Sequence, residues 1–156
     1  MDEFSTLSTI LEILLGTSIL IVVIAVHGVG IRTINRRFNT FWAQVDSATS
    51  YWWINSILAI AIASLTVLHL METLIWAIPI SVGGLIPNMR NSYFYVLESY
   101  TTLGEGNVSL PERWRLIGPM IAMSGLFTFG WTGSVLVGIM TEFGRLDRTR
   151  AQEHKD

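Results

Sequence analysis

Three apolar runs, over residues 10–31, 54–80 and 116–140, constrain this chain more than any other feature. Each reaches the length of about 20 residues that a helix needs to cross a hydrocarbon core about 30 Å thick. Inside that core every backbone N–H and C=O needs an internal partner, which a helix supplies and an open strand does not. The runs therefore predict an all-α integral membrane protein with three transmembrane helices. Composition agrees, since only 14% of the residues are charged and 51% are hydrophobic; soluble domains carry roughly 25% charged residues. A net charge of -2 and no regular Lys/Arg stripe argue against a nucleic-acid partner. The absence of cysteine excludes disulfides, thiolate zinc sites and iron–sulfur ligation.

The first run follows an acidic segment, MDEFSTL, exceeds a signal-peptide core in length and precedes no A-x-A site, so it reads as a retained helix. Trp52, Trp53, Trp76 and Trp114 fall near the ends of the spans, where indole rings favour the headgroup layer. Arg32, Arg36 and Arg37 lie in the first connection and Arg145, Arg148, Arg150 and Lys155 in the tail, against Arg90, Arg113 and Arg115 in the second connection. That excess predicts a multi-pass protein of the cell (inner) membrane with its N-terminus outside, its C-terminus in the cytoplasm, and residues 81–115 on the outer side. The tail after Gly144 reads as a solvated or frayed helix end.

A connection of that length should carry structure of its own. SVGGLIPN reads as a turn through its paired Gly and its Pro, and Asn91 or Ser92 is placed to cap a helix over SYFYVLESYT. About ten residues are too few to cross a bilayer but enough to enter and return, a geometry tolerated only beside protein or water. In the following TTLGEGN, Gly104 and Gly106 alternate with bulkier residues, so the backbone can take dihedrals of both signs and turn successive carbonyls one way. A row of carbonyls on one axis replaces an ion's hydration shell. The plainer alternative is a Gly-rich exit from a short helix.

The order of helix, short aromatic helix, TTLGEGN, Pro-containing turn and glycine-studded helix resembles the pore domain of the potassium-channel superfamily, whose filter reads T-x-G-[YF]-G-D. ESYTTLGEGN also resembles prokaryotic channels with a pore-helix Glu before a Thr-Thr pair. WRLIGPMIAMSGLFTFGWTGSVL resembles the inner helix of small bacterial two-transmembrane-type ion channel proteins, here with an extra N-terminal helix. The likeness implies a re-entrant pore helix and a filter loop of Thr101, Thr102, Leu103, Gly104, Glu105, Gly106 and Asn107, with Glu98 supporting it from behind. It also implies four subunits around one axis, a closed ring being what a single filter strand requires. Thr102, Gly104 and Gly106 match the motif, whereas Leu103 replaces Val or Ile, Glu105 stands where an aromatic is expected, and Asn107 replaces Asp. Glu105 either is buried and paired, with Arg113 or Arg115 as candidates, or belongs to a ring of carboxylates at the pore mouth. The implied organisation is an N-terminal transmembrane helix and cytoplasmic loop over 1–53, a pore domain over 54–141 and a cytoplasmic tail over 142–156.

Ionisable groups inside a span are costly and suggest function. His69 and Glu72 share a face at i, i+3, and His27 lies deep in the first run. A proton relay or a metal site is one reading, but two ligands on one helix do not define a metal, so the expectation is a polar lock between helices with no resident metal. Glu12, near the outer end of the first span, is expected to snorkel to water. Gly118, Gly125, Gly130, Gly133 and Gly138 favour close packing, and Gly130 and Gly133 are also candidates for a hinge. Trp131 reads as a packing residue.

The functional expectation is a non-enzymatic homotetrameric cation channel in the lipid bilayer, with no cofactor and K⁺ as the permeating ion. The alternative is a non-conducting scaffold or accessory subunit with a degenerate channel fold and a membrane protein partner. An intramembrane metalloenzyme built on His27, His69 and Glu72 is the weakest reading. The absence of a regularly spaced Arg-rich helix argues against a dedicated voltage sensor.

Overall fold

The structure, a computed structural model, describes residues 2–104 and 106–153, with side chains described from residue 6 onward. Its elements are four α-helices, α1 (Asp2–Trp42), α2 (Tyr51–Val82), α3 (Met89–Tyr100) and α4 (Ile117–Glu153), with one 3₁₀ turn at Glu112–Trp114. Among the described residues there is no strand. Helices α1, α2 and α4 carry apolar stretches long enough to cross a membrane, and only 17%, 22% and 28% of those stretches is buried within the chain. Leu14, Ile21, Ile60, Val67, Leu126 and Phe127 are among the large apolar side chains left exposed, an outer face suited to lipid.

The helices outrun the apolar runs that reveal them. α1 continues through Arg32, Arg36 and Arg37 to Trp42, so these arginines are helical and the first connection is only residues 43–50. α4 likewise runs on through the charged tail to Glu153. No Gly-Pro break interrupts either segment, and the arginines in both are good helix formers that carry a helix beyond the hydrophobic stretch.

The chain packs as two compact units, one made of residues up to His27 with His69–Phe129, the other of Gly28–Leu68 with the chain from Gly130 onward. The core of the first gathers Val23 of α1, Trp76, Ala77 and Ile80 of α2, Val96 and Tyr100 of α3, and Ile117 and Ile121 of α4. Trp76 is fully buried, and its indole donates to Ser124 Oγ at 3.0 Å. It is a core residue and not the interfacial anchor its sequence position suggests, whereas Trp52 is 77% exposed.

Glu12 also departs from expectation. It is 3% exposed, and its Oε1 accepts from the Leu116 N–H at 2.6 Å. A carboxylate there satisfies a backbone donor at the start of α4 and faces the positive end of the helix dipole. Burial with a partner replaces snorkelling.

In the second unit Phe38, Ile57, Ala61 and Ile139 form the core, and the Trp42 ring packs, tilted by 37°, against Phe143 at 4.5 Å. Arg150 donates to the carbonyls of Asp46 and Thr49 and lies over the Tyr51 ring at 4.5 Å, fastening the end of α4 to the short connection. Within that connection the Thr49 hydroxyl donates to Asp46 Oδ1 at 2.7 Å and holds the carboxyl below its ordinary range. Trp131 packs across Gly28, where an added Cβ would meet its ring at 3.2 Å.

Candidate functional site

The site is built from the short helix outward, and all of it lies in the first unit. Helix α2 ends at Val82, after which Gly84 takes φ 70 and Leu85 N–H returns to the Ile80 carbonyl at 3.1 Å. Asn88 is extended (φ -105, ψ 120), and its Oδ1 accepts from Arg90 N–H at 2.8 Å. The cap is therefore Asn88, one turn earlier than Asn91 or Ser92. The 12 residues of α3 span about 18 Å at the usual rise, well short of a bilayer crossing. Ser92, Val96, Glu98 and Tyr100 form its buried side.

Beyond Tyr100 the chain leaves the helix in a strained way. Thr101 Oγ1 donates to the Leu97 carbonyl at 2.7 Å, Thr102 N–H to Ser99 at 3.0 Å and Leu103 N–H to Glu98 at 2.8 Å. Thr102 then takes φ 59, Gly104 φ 63 and Gly106 φ 74, whereas Leu103 between the first two is not in the left-handed region. A β-branched residue at positive φ is an outlier, and Thr102 is the only non-glycine so placed among the described residues. Thr101, Thr102, Leu103, Gly104, Gly106 and Asn107 are all exposed. Glu105 lies outside the described residues, so the alternatives for its carboxylate do too. Glu98 is buried, at 4% exposed. Arg113 and Arg115 are exposed, and Arg115 makes a 3.9 Å contact with Glu112.

Directly behind Tyr100 is a buried polar cluster. His27 Nδ1 of α1 lies 2.7 Å from Glu72 Oε1 of α2. The Tyr100 hydroxyl of α3 donates to Glu72 Oε2 at 2.6 Å and lies 2.9 Å from His69 Nδ1 and 2.6 Å from Thr128 Oγ1 of α4. His69 Nδ1 is 3.5 Å from Glu72 Oε2, and Phe129 lies at 4.6 Å against the His69 ring. His27 and Glu72 are fully buried, and the His69 side chain keeps 13% exposure. The Glu72 carboxylate thus joins α1, α2 and α3 directly and reaches α4 through the Tyr100 hydroxyl, at the residue from which the exposed loop departs.

Tyr100, Thr128 and Glu12 are contributors the sequence reading did not assign. Thr128 belongs to a buried polar stripe with Ser124 and Thr132 at spacings of four, a pattern visible in the sequence. Gly125, in that stripe, admits the Tyr100 main chain so closely that an added Cβ would fall on its carbonyl. Gly130 and Gly133, the candidate hinge positions, are exposed within an uninterrupted α4, and an added Cβ meets nothing within 4 Å.

Fold and site together define a helical protein with three helices fit to cross a membrane, a short fourth helix and a glycine-rich exposed loop pinned to a buried carboxylate. Compared with known proteins, the chain matches no family model, no curated sequence and no solved structure.

Proposed function

We propose that the chain is one subunit of a cation channel, with the backbone from Thr101 to Asn107 lining the ion path on the axis of a homotetramer. The observation that carries this reading is the recurrence of positive φ at Thr102, Gly104 and Gly106 in an exposed loop. Positive φ at residues 102, 104 and 106 lets carbonyls of this loop turn toward one side, and a row of carbonyls replaces an ion's hydration shell. The sign of the ion follows from the surroundings. Residues 98–112 contain Glu98, Glu105 and Glu112 and no Lys or Arg, and the loop leaves the C-terminal, negative end of α3. Carbonyl oxygens and the Thr102 hydroxyl then serve as ligands for a dehydrated monovalent cation, K⁺ by the likeness of T-x-G-x-G.

In this reading α3 is a re-entrant pore helix, α2 and α4 are the outer and inner helices, the N-terminus is outside, and α1 packs as an additional span. The exposed loop is unused surface in a single chain, which supports its burial against the same loop of neighbouring subunits. K⁺ flux from loaded liposomes tests the proposal. Wild-type protein should conduct and Gly104→Ala, which places a Cβ on a residue at φ 63, should conduct far less. A stable tetramer that passes no ion would instead establish the non-conducting scaffold.

A further inference from the structure

We propose that His27, His69 and Glu72 form a binding site for a divalent transition-metal ion of the Zn²⁺ class, set behind the exposed loop. The inference stands on the cluster's geometry and does not depend on conduction.

The sequence supplies only two ligands on one helix, and folding brings the third from another: one ligand atom from each of His27, His69 and Glu72 lies within 4.8 Å of the others. Both imidazoles turn Nδ1 toward the same carboxylate. Two imidazoles and one carboxylate are a donor set suited to zinc, with a fourth position left for water or a hydroxyl. The Tyr100 hydroxyl already donates to Glu72 Oε2 and fixes the carboxylate's orientation, the role that outer hydrogen bonds play around metal ligands.

Charge is the second argument. Glu72 is fully buried, and the arginines of this unit, Arg90, Arg113 and Arg115, are exposed on the connection between α2 and α4 and on α3. The groups the structure places on the Glu72 oxygens are two imidazoles and a phenol. Buried carboxylates are paired or coordinate a metal, and a metal held by the two imidazoles would sit where the ligand atoms already converge. In the bound form each Nδ1 offers its lone pair and the ring proton resides on Nε2. The remaining exposure of His69 gives an entry point at the edge of the cluster.

The test uses the full chain in mild detergent, stripped with EDTA and titrated with ZnCl₂ alone. One Zn²⁺ per chain should bind, the thermal midpoint should rise, and Co²⁺ in its place should give the visible bands of a four-coordinate N/O site. Glu72→Gln and His69→Gln should each weaken binding more than about tenfold, and Tyr100→Phe, which spares every ligand, by about tenfold. Wild-type protein that neither retains Zn²⁺ nor shows a Co²⁺ spectrum overturns the proposal without recourse to any variant. Undiminished binding in folded Glu72→Gln and His69→Gln proteins places the metal elsewhere and overturns it equally.

Discussion

Gly125→Ala is the most exacting perturbation of the packing that sets the loop. The glycine lies where α4 crosses the end of α3. A Cβ there would overlap the Tyr100 carbonyl oxygen, 2.9 Å from the carbonyl carbon and 3.2 Å from Cγ of the ring. The obstacle is main chain, so no rotamer change relieves it. The helices must part by about an ångström, loosening the core of Val96, Tyr100 and Ile121. Overpacking of this kind costs about 1–3 kcal/mol, and the gain in helix propensity returns at most about 1 kcal/mol. Against Gly130→Ala, which makes the same gain in propensity, the deficit of about 1–3 kcal/mol corresponds to a midpoint lower by roughly 2–12 °C in a chain of this length. Thermal unfolding in detergent followed by tryptophan fluorescence reads this directly, because Trp76 is fully buried in the same core. Gly130→Ala is the control, since its Cβ meets nothing within 4 Å. Equal midpoints for the two variants would refute the close approach of α4 to Tyr100.

Other expectations follow from single contacts. Glu12→Ala removes the acceptor for Leu116 N–H and should destabilise by about 1.5–3 kcal/mol, with Glu12→Gln milder because an acceptor oxygen remains; indistinguishable midpoints would contradict this. Tyr100→Phe deletes a hydroxyl shared by Glu72, His69 and Thr128, and should cost about 1–3 kcal/mol in the same unfolding assay. Thr102→Gly should recover about 1–2 kcal/mol of backbone strain while lowering K⁺ flux through loss of the hydroxyl, and a fall in midpoint would count against strain at this residue. Arg150→Ala releases the end of α4 from residues 46–51, so limited proteolysis should cut near residues 144–153 faster than in wild type.

The three spans are legible because apolar length is a local property, read without knowing any partner. Their ends are less so, since hydropathy reports where a helix meets lipid and not where hydrogen bonding stops, and α1 therefore extends past its arginines to Trp42. Glycines announce the backbone freedom at 104 and 106, whereas Thr102 carries no sign that it will take φ 59. His69 and Glu72 declare a shared face by spacing. Their connection to His27 and Tyr100 is made across helices, by 45 and 28 residues from Glu72, and no periodicity encodes it. Glu12 is the extreme case, because its partner lies 104 residues away. Trp76 misleads for a related reason: position along a span suggests the interface, and only Ser124 on α4 makes the core a satisfactory place for its N–H.

The central claim, that the loop from Thr101 to Asn107 lines a path for cations, is tested most directly by the reversal potential of purified protein in planar bilayers under a KCl gradient. The account predicts a current that reverses close to the potassium equilibrium potential and shifts or vanishes in Gly104→Ala. Reversal at the chloride potential, or membranes that stay silent while holding intact tetramers, would contradict it.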